Sequence, residues 1–156
     1  MLEDCKTAEE RWGGVSKLID RWLEARRLML VEYCALSALK EPEHSDQVRG
    51  GKLRYLCEIL VDYVSAGHFE IYDQLIKEGR EFGDEEGLRE AERLITKVDQ
   101  TTAEVLDFND KYLETDDLEA LERDLSHLGE TLETRFSAED RMIAILHTAH
   151  KELVGA

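Results

Sequence analysis

The run LVDYVSAGHFEIYDQLI, residues 60–76, sets Asp62, Ser65 and His68 at steps of three within an otherwise apolar helical segment. An acid, a hydroxyl and an imidazole are the parts of a nucleophilic relay, but a relay needs its side chains to converge on one point beside an oxyanion hole. Residues on successive turns of one helix do not converge, so no catalytic residue and no enzymatic activity is assigned. Metal chemistry fares little better. A carboxylate-rich bundle site takes Glu and Glu-x-x-His ligands that face one another. Of the five histidines, His44 follows Glu41 by three inside a proline-bearing loop, and His127 follows Asp124 outside the stripe formed by Leu121, Leu125 and Leu128. His147 and His150 stand near the chain end. No metal and no cofactor is expected. The alternative from another class is a metal- or oxygen-sensing bundle built on His68, Glu139 and His147.

Two non-catalytic arrangements remain. Asp62, Ser65, Phe69 and Tyr72 or Asp73 follow one another at three- and four-residue steps, a row of one acid, one hydroxyl and aromatic anchors suited to a protein interface. On the neighbouring face, Val61, Val64, His68, Ile71 and Leu75 align, which points the His68 imidazole toward apolar company. Arg135 and Glu139 lie four apart between Leu132 and Ile143, where an unpaired charge is costly. These observations predict a partly buried polar cluster of His68, Arg135 and Glu139.

Long amphipathic helices must carry these residues. Val15, Leu18, Trp22, Ala25, Met29, Tyr33 and Leu36 form one apolar stripe, and Leu53, Leu56, Leu60, Val64, Gly67, Ile71 and Leu75 form a second. Leu88, Ala91, Ile95, Val98, Val105 and Tyr112 form a third, and Leu121, Leu125, Leu128, Leu132, Phe136, Ile143 and Leu146 a fourth. Gly13 and Gly14 mark a break after a short leading helix, and the single proline, Pro42, marks a loop. The expected fold is all-α: an antiparallel four-helix bundle with a short extra N-terminal helix, one helical domain over 1–156. The helices are expected at about 2–12, 15–39, 52–79, 84–113 and 117–151.

The chain holds 36 acidic and 20 basic side chains in 156 residues, a net charge of −16. Residues 1–40 are balanced, and −13 of the −16 lies from residue 81 onward. A field of this sign repels nucleic acid and steers basic protein surfaces inward, so direct DNA binding is not expected. An acidic scaffold for some basic protein is a further alternative. The three cysteines, Cys5, Cys34 and Cys57, form no CxxC pair and read as reduced thiols. The leading run MLEDCKTAEERW lacks the basic start and apolar core of a signal peptide, and no 18-residue apolar stretch occurs. No membrane association is expected, and the expected location is cytoplasmic.

Three segments, KLIDRWLEARRLMLVEYCAL (17–36), LVDYVSAGHFEIYDQLI (60–76) and LSHLGETLETRFSAEDRMI (125–143), resemble the Rsd/AlgQ family of bacterial transcription regulators. The combination DRW, LVDYxSAGHFxxY and LExRFxxED carries the resemblance in order and spacing. RWGGV and EGREFGD look closest to the AlgQ branch. The third helix and the loops at 40–52 and 80–87 match no motif. The resemblance implies an all-helical anti-sigma factor that binds region 4 of the primary sigma factor and keeps it from core RNA polymerase and the −35 promoter element. It implies a docking surface from the first two long helices: Leu18, Asp20, Arg21 and Trp22, then Asp62, Ser65, His68 and Phe69. A supporting role falls to Tyr72, Arg135, Phe136, Glu139 and Asp140.

Overall fold

The computed structural model describes residues 8–40 and 43–154. Helix α1 spans Ala8–Ser37 and α2 spans Asp46–Ala66. A π-helical turn, Gly67–Ile71, then leads without a break into α3, Tyr72–Glu81. Helix α4 spans Glu85–Glu114 and α5 spans Leu121–Leu146, followed by a 3₁₀ turn, Thr148–His150, and a short α6, Lys151–Val154. Among the described residues there is no strand, and the four long rods form the expected all-α bundle.

Cross-helix partners fix the directions. Trp22 meets Tyr63 while Glu32 meets Lys52, so α1 and α2 run antiparallel. Glu90 pairs with Arg141, Glu104 with Thr131 and Asp124 with Lys111, so α4 and α5 do the same. The four apolar stripes face inward, with Met29, Leu56, Leu60, Leu75, Ala91, Val98, Val105, Leu132 and Leu146 at the centre of the core.

Helix ends follow local chemistry. The Ser45 hydroxyl accepts the Val48 N–H at 3.3 Å and opens α2, and the Asp84 carboxylate accepts the Gly87 N–H at 2.9 Å and opens α4. Gly83, at φ 62°, closes the turn between α3 and α4 in the left-handed region that favours glycine. Thr115 and Asp117 shape the loop before α5 by accepting the Asp117 and Glu119 N–H groups.

Several boundaries differ from the sequence expectation. The glycine pair does not break the first helix: Gly13 and Gly14 lie inside α1, and no separate leading helix precedes Val15 among the described residues. Residues 2–7 of that expected element lie outside the described residues. Glycine in a helix interior costs about 1 kcal/mol relative to alanine, but tertiary anchoring overrides it. The Trp12 ring stacks on His147 at 4.2 Å, and its indole N–H donates to the His147 carbonyl at 2.9 Å. Likewise α2 begins at Asp46 rather than near residue 52, because Ser45 supplies a cap and the Gly50–Gly51 pair continues the helix. No helix among the described residues is long and apolar enough to cross a membrane.

Candidate functional site

Where α1 crosses the junction of α2 and α3, the buried Trp22 ring stacks flat on Tyr63 at 4.9 Å and meets Tyr72 edge-on at 6.0 Å. Its indole N–H donates to the Tyr63 carbonyl at 3.3 Å. Gly67 sits under these rings: a Cβ there would lie 3.1 Å from both Trp22 Cζ2 and the Tyr72 hydroxyl, so this close approach suits a residue without a side chain. The π turn that Gly67 begins turns His68, Phe69 and Glu70 to solvent. Phe69 is 75% exposed, and the His68 ring meets it edge-on at 4.8 Å. Asp62 is exposed beside buried Tyr63, and Asp20 and Arg21 are exposed beside buried Trp22, so these charges share one level of the bundle on adjacent helices. Ser65 is half-buried. Leu18, also half-buried, lines with Val15, Arg21, Gln74 and Lys77 a groove of about 460 Å³ between α1 and α3.

The expected surface therefore divides in two. Asp20, Arg21, Asp62, His68 and Phe69 reach solvent, with Leu18 and Ser65 partly accessible. Trp22, 4% exposed, belongs to the core and supports the surface from beneath. His68 is the clearest correction. It neither points into the core nor joins Arg135 and Glu139: the buried side of the helix runs through Leu60, Tyr63 and Gly67, and His68, one step of about 100° past Gly67, is exposed.

Beneath that surface lies a polar cluster contributed by every rod of the bundle. Arg135 and Glu139 are fully buried, with Arg135 Nε donating to Glu139 Oε2 at 3.2 Å. The Tyr63 hydroxyl donates to Glu139 Oε1 at 2.6 Å, and the Tyr72 hydroxyl donates to Oε2. Arg135 also donates to the hydroxyls of Thr101 at 3.2 Å, Thr102 at 2.7 Å and Tyr72 at 2.9 Å. From α1, Arg26 donates to the Tyr63 hydroxyl at 2.9 Å, to Asp140 at 2.7 Å and to Glu139 at 3.3 Å. The same guanidinium lies 4.5 Å from the centroid of the half-buried Phe136 ring. Two guanidinium groups face two carboxylates, so the cluster is electrically balanced. Burial pushes the Glu139 carboxyl pKa up, against the pull of Arg135, the Tyr63 and Tyr72 hydroxyls and Arg26. Burial, reinforced by the Glu139 charge, raises both phenols.

The sequence pattern found Arg135 and Glu139 but missed Arg26, Tyr63, Thr101 and Thr102. Tyr63 stands three residues after Leu60, and Thr101 three after Val98, both on inward stripes. Polar groups at such positions were the available signal. Arg26 stands four after Trp22, within reach of the same level.

At one end of the bundle, His147 Nδ1 lies 2.8 Å from Glu78 and His150 Nε2 lies 2.9 Å from Asp84. His68 is thus exposed, Glu139 is engaged by Arg135 and the tyrosines, and His147 by Glu78, so the three do not form one ligand set. Among the described residues no group of three or more His, Cys, Asp or Glu is placed to hold a metal ion.

Residues 1–147 match the family described as the regulator of RNA polymerase sigma(70) subunit, Rsd/AlgQ. A Regulator of sigma D from Enterobacter sp. (strain 638) is 37% identical over 150 residues, which cover 93% of this chain and 89% of that relative. A Regulator of sigma D from Salmonella paratyphi B is 36% identical over 154 residues, covering 96% and 93%. The charged and aromatic surface around Phe69 and the cluster beneath it are accordingly features of a protein that belongs to the Rsd/AlgQ family of regulators of the RNA polymerase sigma(70) subunit.

Proposed function

We infer that this chain is a stoichiometric anti-sigma regulator that binds region 4 of the primary sigma factor. Held this way, region 4 cannot also contact the −35 promoter element or core RNA polymerase, so regulation follows from competition for one surface and needs no turnover. The observation that carries the reading is Phe69, 75% exposed on the wide turn, with Asp62, Asp20 and Arg21 exposed at or near its level of the bundle. An apolar anchor ringed by charges is the pattern of an interface hot spot. Family membership supports the choice of partner.

Charge supports it too. A helix-turn-helix domain that meets DNA phosphates is basic, and a chain of net charge −16 attracts such a domain from a distance. Most of that charge lies on α4, α5 and the segments around them, away from Phe69, so it serves encounter more than contact. The contact set on this reading is Leu18, Asp20, Arg21, Asp62, Ser65, His68 and Phe69. Trp22, Tyr72, Arg135, Phe136 and Glu139 act from beneath, and Asp140, exposed, supports through Arg26.

Titration calorimetry against the isolated region 4 of the same organism's primary sigma factor, at two salt concentrations, tests the reading. One-to-one binding that weakens as salt rises is the expected result. Absence of heat and of complex at both salts would reject region 4 as the partner.

A further inference from the structure

Tyr63 and Tyr72 stand on either side of the π turn, yet both hydroxyls donate to the same carboxylate, Tyr63 to Oε1 and Tyr72 to Oε2 of Glu139. An α-helix rotates about 100° per residue, so the nine steps from Tyr63 to Tyr72 would leave them on opposite sides of an unbroken helix. Accommodating one extra residue in a π turn removes roughly 100° of that rotation, which leaves the two side chains about 80° apart. Only with the wide turn in place can one carboxylate serve both phenols. The dependence runs in the other direction as well. A carboxylate that binds one phenol before the turn and one after it opposes rewinding of the segment into plain α-helix.

Two further contacts act on the same turn. Arg135 donates to the Tyr72 hydroxyl at 2.9 Å and holds that phenol at the carboxylate. Trp22 donates to the Tyr63 carbonyl at 3.3 Å, which the Gly67 N–H also uses, so the indole shares a backbone acceptor with the first residue of the turn. The exposed part of the turn is His68, Phe69 and Glu70, with Phe69 75% exposed.

We propose that Glu139, although shut away from solvent, is a positioning residue for the docking face: bound by Tyr63 and Tyr72, it holds the π turn wide and so sets where Phe69 stands. The proposal rests on the reading of that face as the sigma-binding surface. It also gives a reason for a buried ion pair in a core that apolar side chains could fill, since such pairs often add little net stability of their own.

The test compares Tyr72→Phe with Thr102→Val. Both remove a partner of Arg135, but only the first touches the turn. Stability is read by urea unfolding, the turn by amide hydrogen exchange of residues 67–72 against α4, and docking by affinity for isolated region 4, with Phe69→Ala alongside. Tyr63→Phe repeats the test from the other end of the turn if Tyr72→Phe does not fold. The expected result is that Tyr72→Phe speeds exchange of residues 67–72 about tenfold relative to α4 and weakens binding about fivefold, while Thr102→Val lowers stability and changes neither. Equal effects of the two variants on binding, or no effect of either while Phe69→Ala weakens it, would overturn the positioning role and leave the docking face standing. Unchanged binding by folded Phe69→Ala would overturn the docking reading itself.

Discussion

Replacing Arg135 by methionine removes one charge from the centre of the bundle and leaves an unbranched side chain in its place. Arg135 makes one bond to Glu139, two to threonine hydroxyls and one to Tyr72, and no part of it reaches solvent. Removing one partner of a buried ion pair costs about 3–5 kcal/mol, because the remaining charge stays desolvated. Arg26 still reaches Glu139 at 3.3 Å, and both phenols still donate to it, which places the expected loss near the lower bound, about 3 kcal/mol. At a urea slope of roughly 2 kcal/mol per molar, the midpoint should fall by about 1.5 M with the slope unchanged. The companion Glu139→Gln and the double variant complete a cycle, and a coupling well above 1 kcal/mol is expected for groups in direct contact. A midpoint shift corresponding to less than about 1 kcal/mol, or no coupling, would show that the buried pair is not what organises this part of the core.

Three other outcomes follow from the same structure. Gly14 lies exposed inside α1 with nothing within 4 Å of where a methyl group would sit, so Gly14→Ala should raise stability by about 0.5–1 kcal/mol in thermal or urea unfolding. Asp84→Ala should cost about 1 kcal/mol at neutral pH through the lost α4 cap. The Gly87 N–H, then His150, hold the Asp84 pKa below its ordinary value, so this contribution is complete above the unfolded carboxylate pKa and fades as pH falls through the lowered folded value. Urea midpoints of both proteins from about pH 7 down to about pH 3 should therefore draw together at the acid end. Asp62 is exposed, so Asp62→Ala should leave the unfolding curve in place and weaken region 4 binding by about 1 kcal/mol at low salt, less at high salt, by calorimetry.

The amino-acid pattern alone determined the four-helix, all-α architecture and the inward stripes, because a long helix that buries one face must repeat apolar residues at steps of three and four along its length. It also singled out the residues 60–76 and the Arg135–Glu139 pair, since polar groups within an apolar run stand out against that period. Tertiary structure decided the rest. Gly13 and Gly14 stay helical because Trp12 is anchored on His147, a partner 135 residues away that local propensity does not register. His68 faces solvent because the covered side of the helix runs through Leu60, Tyr63 and Gly67, one residue step of about 100° away from it, and only packing decides which flank of an apolar stripe is covered. Trp22 supports the surface rather than forming it because Tyr63, Tyr72 and Gly67 close around it. Arg26, Tyr63, Thr101 and Thr102 join Arg135 and Glu139 only when four rods meet, since a buried charge takes its partners from whichever helices packing brings within hydrogen-bond distance.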